Sequence, residues 1–156
     1  MSFNALGRGI RIEIVLCGEP DGWAVDAVEH WRRRISSLAQ LKMVFLRHRS
    51  SSKLQDALRA QTSGHSVAMT RSGNMLSTDD WAKFLRDVAE GGGYVKYLIG
   101  GADGLPVDVI SACRWKVSLA PITLQHDVAL IVLLEQIYRA LSINAGLPYH
   151  RAGGGA

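Results

Sequence analysis

Cysteine is scarce in this chain. Cys17 and Cys113 are the only two in 156 residues, and neither belongs to a CxxC pair. A disulfide scaffold and a zinc ribbon are both disfavoured on that count. Two isolated thiols fit a reducing compartment, so the expectation is a cytoplasmic protein. Long apolar runs are also missing. The longest, Val128 to Leu134, falls well short of the roughly 20 residues that span a bilayer. Glu13 interrupts the apolar stretch behind Arg8 and Arg11, so no secretory signal and no membrane anchor are read. Nor does the chain contain GxxxxGK[ST], a full GxGxxG, GxSxG or HExxH. Those absences disfavour a Walker-type ATPase, an ordinary dinucleotide site and a hydrolase nucleophile elbow. None of His30, His48, His65, His126 and His150 pairs with a cysteine at ligand spacing, so no metal site is expected.

What is present describes a folded domain. Hydrophobic residues make up 47% and charged residues 21%, which excludes a disordered or collagen-like chain. The length and the lack of a low-complexity linker predict one domain over 1–156, with 152–156 as a frayed tail. The net charge of +4 leans toward a polyanionic partner. Arg32-Arg33-Arg34 and Arg47-His48-Arg49 are either solvated surface or phosphate contacts.

Short β-like runs alternate with amphipathic stretches. Ile10, Ile12 and Ile14 alternate with Arg11 and Glu13, a strand that ends at Cys17-Gly18-Glu19-Pro20. Further strands are read at Leu41–Leu46, Val67–Thr70, Tyr94–Ile99 and Trp115–Leu119, the third closed by Arg71-Ser72-Gly73-Asn74. Helices are read at Trp23–Ala39, Ser50–Gln61, from Ser77 or Thr78 to Glu90, at Val107–Cys113 and at Asp127–Asn144. This rhythm predicts α/β architecture, a mostly parallel sheet with helices on both faces.

Val128 to Leu134 leave the last helix no polar stripe for nearly two turns. Such a helix must be covered all round. Either a second copy covers it in a homodimer, or it is buried centrally within one chain. Ligands of open α/β sheets bind beyond the carboxyl ends of strands. Two segments qualify: Gly100 to Gly104 after the fourth strand, and Ala120 to His126 after the fifth. Together they can cradle a small ligand through backbone groups. His126, opening the last helix, is read as ordering that turn.

The C-terminal third carries a more specific pattern. It reads Tyr97-Leu-Ile-Gly-Gly-Ala-Asp-Gly-Leu105, Ser118-Leu-Ala-Pro-Ile-Thr-Leu-Gln-His126, Leu134-Glu-Gln-Ile-Tyr-Arg-Ala-Leu-Ser-Ile143 and Pro148-Tyr-His-Arg151. In order and spacing this closely resembles the RlmH family of ribosomal RNA methyltransferases, of the SPOUT class. The resemblance implies a homodimer with a C-terminal trefoil knot and S-adenosylmethionine as methyl donor. The implied substrate is N3 of a pseudouridine in helix 69 of large-subunit rRNA in the assembled ribosome. It places the cofactor against Met69, Gly100, Gly101, Gly104, Ala120, Pro121, Ile122, Thr123, Leu124 and Gln125. Tyr149, His150 and Arg151 then lie near the cofactor and the incoming base. His150 is one candidate for accepting the N3 proton; Arg151 alternatively holds a phosphate or favours the deprotonated base. Glu135, Tyr138 and Arg139 match a helix motif read as dimer and pocket framework. Two positions depart from the family pattern: Thr70 stands where an Asp is usual, and Leu130 where an Arg is usual. The family Asp implies a pocket hydrogen bond, and the family Arg a dimer or RNA contact. The alternative to an enzyme is a family-like dimer that binds the ribosome or RNA without methyl transfer. A small-molecule-binding flavodoxin-like domain is a third reading.

Overall fold

The alternation at the start of the chain divides two cores. In β1 (Arg11–Cys17), Ile12, Ile14 and Leu16 enter one apolar cluster, and Val15 and Cys17 enter another on the opposite face. The computed structural model describes residues 9–48 and 50–151. The tail read as frayed, along with Arg8 and Arg49, lies outside the described residues. After β1 come α1 (Gly22–Ser36), β2 (Gln40–Leu46), α2 (Ser51–Arg59), β3 (Ser66–Met75) and α3 (Thr78–Glu90). They are followed by β4 (Tyr94–Ile99), α4 (Val107–Ala112), β5 (Trp115–Ser118) and α5 (His126–Asn144). The five strands form one parallel sheet in the order β2-β1-β4-β3-β5. Helices α1, α3 and α5 cover one face, and the short α2 and α4 cover the other. No described helix is long and apolar enough to cross a membrane.

Strand β3 differs most from the expectation. The chain does not turn away at Arg71. It leaves the ladder after Met69, which pairs with Val117, and returns at Asn74, which pairs with the same Val117. Thr70 to Gly73 therefore bulge out between two pairings with one partner residue. Gly73 is required there: a Cβ would lie 2.5 Å from the Val117 nitrogen, with no side chain to move aside. The turn-like composition of this segment hides a strand that only its tertiary partner restores.

Helix α3 is fixed at its start by a capping box. Ser77 Oγ accepts from the Asp80 N–H at 3.1 Å, and Asp80 Oδ2 accepts from the Ser77 N–H at 2.9 Å. The Ser77 hydroxyl and amide hold the Asp80 carboxyl below its usual range. Ser77→Ala should lower stability by about 1 kcal/mol, read as a shift of the urea midpoint at unchanged slope.

Helix α5 lies between α1 and α3. Leu130, Leu133, Leu134, Ile137 and Leu141 are buried. Val128, Ile131 and Val132 share the opposite stripe and remain partly exposed. Complete cover within one chain is thus not what the structure has. Leu130 is 0% exposed, in the core. At this position the chain presents no surface, so the contact role implied for the family Arg does not apply to this residue. The polar anchor of α5 is the buried Asp127, whose Oδ2 accepts from the Asp21 N–H at 3.0 Å and ties the starts of α1 and α5 together.

Candidate active site

The bulge within β3 and the segments that leave the carboxyl ends of β4 and β5 converge on one cavity of about 640 Å³. That size falls in the roughly 300–1,000 Å³ range of small-molecule sites. Met69, Ile99, Leu105, Ile110, Leu119 and Leu124 give it apolar walls. Thr70, Arg71 and Ser72 come from the β3 bulge, Gly100 to Gly104 from the loop after β4, Ser118 from the end of β5, and Ala120, Ile122 and Thr123 from the segment after it. His126 and Ala129 bring the start of α5 to its edge.

Two close backbone approaches shape these walls. The Gly104 N–H donates to the Gly101 carbonyl at 3.0 Å, closing a tight turn in which Gly104 has φ +72°. The turn folds back on Gly100, where a Cβ would lie 2.3 Å from the Gly104 carbonyl carbon. Below it lies the Cys17 thiol, whose titration burial pushes up. On the far wall, Ser118 Oγ donates to the Ala120 carbonyl at 3.0 Å. Thr70 Oγ1 and Ser72 Oγ stand 3.2 Å apart, so the bulge keeps a short polar contact where the family Asp is absent. His126 Nε2 lies 3.1 Å from Asp127 Oδ1, which places this imidazole between the cavity and the α5 anchor.

Of the residues expected against a cofactor, Met69, Gly100, Gly101, Gly104, Ala120, Ile122, Thr123 and Leu124 line the cavity. Pro121 and Gln125 do not. Pro121 is exposed, and Gln125 turns its carbonyl to the Ala129 N–H at 2.8 Å as the residue before α5. Sequence reasoning passed over Arg71, which reaches across to donate to Thr123 Oγ1 at 2.7 Å. Their separation of 52 residues left no local signal.

Tyr149, His150 and Arg151 are not among the lining residues. Tyr149 and His150 belong to a second cluster, built on α1 and the later turns of α5. Glu135 Oε1 accepts from the Tyr149 hydroxyl at 2.9 Å and from Arg139 Nη2 at 2.6 Å. Arg139 Nη1 lies 3.1 Å from His150 Nδ1. The Arg34 guanidinium sits 4.7 Å from the Tyr138 ring centre, 5.4 Å from Tyr149 and 5.6 Å from Trp31. Burial, and then the bond to Glu135, push the Tyr149 phenol above its ordinary pKa. It is thus a neutral donor near pH 7. Along α5, Ala129 at the cavity edge precedes Glu135 by about 9 Å and Arg139 by about 15 Å. The partly exposed Ile131 and Val132 lie between the two sites.

Comparison with known proteins places the chain among enzymes. A family model described as "Predicted SPOUT methyltransferase" matches residues 10–150. The ribosomal RNA large subunit methyltransferase H of Thermus thermophilus is 38% identical over 144 residues, covering 91% of this chain and 99% of that protein. The protein of the same name from Parasynechococcus marenigrum is 33% identical over 132 residues, covering 83% and 88%. Among solved structures, a probable methyltransferase from Bordetella pertussis Tohama I shares the fold, with a TM-score of 0.53 at 14% identity over 88% of this chain and 99% of that one. With a family match that spans nearly all of the described residues, the chain belongs to the SPOUT methyltransferase family.

Proposed function

We propose that the protein is a cytoplasmic methyltransferase that uses S-adenosylmethionine to methylate N3 of a pseudouridine in helix 69 of large-subunit rRNA in the assembled ribosome. The observation that carries this reading is the convergence of the β3 bulge and two post-strand segments on one cavity in a chain of this family. The residues fit such a cofactor. Apolar walls suit an adenine ring, and the Gly100–Gly104 turn and the 118–124 segment bring backbone groups to the cavity. In the same reading the C-terminal segment carries the trefoil knot of the SPOUT class. The closeness of the 100–105 and 118–124 segments around one cavity is compatible with that threading.

A homodimer completes the site. A two-fold axis through the Ile131–Val132 stripe pairs α5 with its copy in antiparallel sense. The end of α5 that bears the cavity of one protomer then faces the Glu135–Arg139 end of the other. The exposed Trp23 and Val25 at the start of α1 supply further apolar surface. Tyr149, His150 and Arg151 of one subunit would serve the cavity of its partner, which accounts for their distance from the cavity of their own chain.

S-adenosylmethionine supplies an electrophilic methyl group on its sulfonium. The protein has to align the pyrimidine with that methyl and stabilise loss of the N3 proton. Arg139 donates to His150 Nδ1, so a neutral imidazole carries its proton on Nε2. His150 is therefore read as a donor and not as the base. With Arg151 it would stabilise the negative charge left on the pyrimidine while the proton passes to water. Glu135 fixes the Tyr149 hydroxyl and Arg139 together.

Titration calorimetry with S-adenosylhomocysteine, followed by labelled-methyl transfer to ribosomes, tests the reading. Saturable binding, with transfer that falls steeply as salt rises, is the expected result. Ribosome binding without cofactor binding or transfer would establish the non-catalytic alternative instead.

A further inference from the structure

Arg71 stands apart from the rest of the cavity. Among the described residues it forms no ion pair, as Arg11, Arg34, Arg86, Arg114 and Arg151 also do not, but of these only Arg71 lines the cavity. It is nevertheless held in place. Its backbone sits in the bulge fixed at both ends by Val117, and its Nη1 donates to Thr123 Oγ1 at 2.7 Å across the mouth. One guanidinium N–H is used, and the remaining donors are unassigned. On the third wall of the same mouth lies Asp103, exposed in the Gly100–Gly104 turn. A cation and an anion that line one cavity match an α-amino acid, which carries a carboxylate and an ammonium. A phosphate would meet Arg71 favourably but Asp103 unfavourably.

We infer that Arg71, steadied by Thr123, binds the carboxylate at the amino-acid end of the cofactor, with Asp103 facing its ammonium. This rests on the cofactor reading above and adds the residue that selects for the amino-acid end. Thr70, the neighbour of Arg71 in the bulge, is uncharged, and Asp103 forms no ion pair with Arg71, so the guanidinium is available to a ligand. A fork-shaped donor favours a carboxylate over a single acceptor.

Two ligands separate the possibilities by calorimetry. S-adenosylhomocysteine has the amino-acid end; 5′-methylthioadenosine lacks it. Arg71→Ala should weaken S-adenosylhomocysteine on the order of tenfold or more, and leave methylthioadenosine within about twofold. Arg71→Lys should recover part of the loss, since charge returns without the fork. Thr123→Val should give a smaller loss that is confined to S-adenosylhomocysteine. Equal losses for both ligands would show that Arg71 only shapes the cavity and would overturn the inference. So would unchanged binding of both together with a shallower salt dependence of ribosome affinity, which would assign Arg71 to an RNA phosphate. Wild-type protein that binds neither ligand would overturn the cofactor reading itself, and this inference with it.

Discussion

Gly100→Ala is expected to abolish useful cofactor binding, while Gly101→Ala is expected to preserve it. The two glycines are adjacent and both line the cavity, so composition does not separate them. Their surroundings do. A Cβ on Gly100 meets the Gly104 carbonyl carbon at 2.3 Å and the Leu105 nitrogen at 2.5 Å. These are backbone atoms, and no rotamer change relieves the conflict. The turn must open, at a cost of about 3 kcal/mol for overpacking of this kind. Carried into the bound state, that is roughly two orders of magnitude in affinity. A Cβ on Gly101 meets only the Cys17 side chain at 3.7 Å, an ordinary contact pointing away from the cavity. Calorimetry with S-adenosylhomocysteine should show a loss of about 100-fold for the first and about threefold or less for the second. Circular dichroism should show that both variants fold. Comparable losses would mean that the turn does not form the cofactor wall.

The second large effect is a recovery. Gly100→Ala disables the cavity, and a His150→Ala, Arg151→Ala double variant disables the C-terminal cluster. Each should be inactive in methyl transfer to ribosomes. In the proposed dimer, mixing with subunit exchange should make half of the dimers mixed. Each mixed dimer pairs one intact cavity with the intact cluster of the other subunit. Activity should return to about one quarter of the wild-type level. If each chain served its own cavity, both sites of a mixed dimer would be defective and nothing would return. An Ile131→Asp substitution in both chains should prevent the recovery, since it places a charge on the stripe through which the proposed dimer meets.

Local patterning made much of the fold legible. The alternation of Ile10, Ile12 and Ile14 places β1, and a capping Ser77 or Thr78 places the start of α3, with the structure selecting Ser77. The loops after β4 and β5 were recognisable from glycine content and from their position after strands. Strand β3 was cut short because Thr70, Arg71, Ser72 and Gly73 have the composition of a turn. Their return to the sheet depends on Val117, more than 40 residues away. Arg71 was missed for the same reason, since its partner Thr123 is distant in sequence. Tyr149, His150 and Arg151 are legible as a motif, but a motif carries no information about which cavity it serves. The α5 stripe showed that cover was needed. Only the packing showed which side, by burying Leu130 and leaving Ile131 and Val132 partly exposed.

Because Met69 and Asn74 both pair with Val117, the residues between them carry none of the sheet's register. Substitutions at positions 70–72 can change the cavity wall while the strands on either side keep their partners. Ligand preference and stability can therefore drift separately here, with Gly73 as the fixed point. The departure at Thr70 is then a retuning the scaffold tolerates. Laboratory selection for altered cofactors would do well to begin in this segment, where variation puts the least of the core at risk.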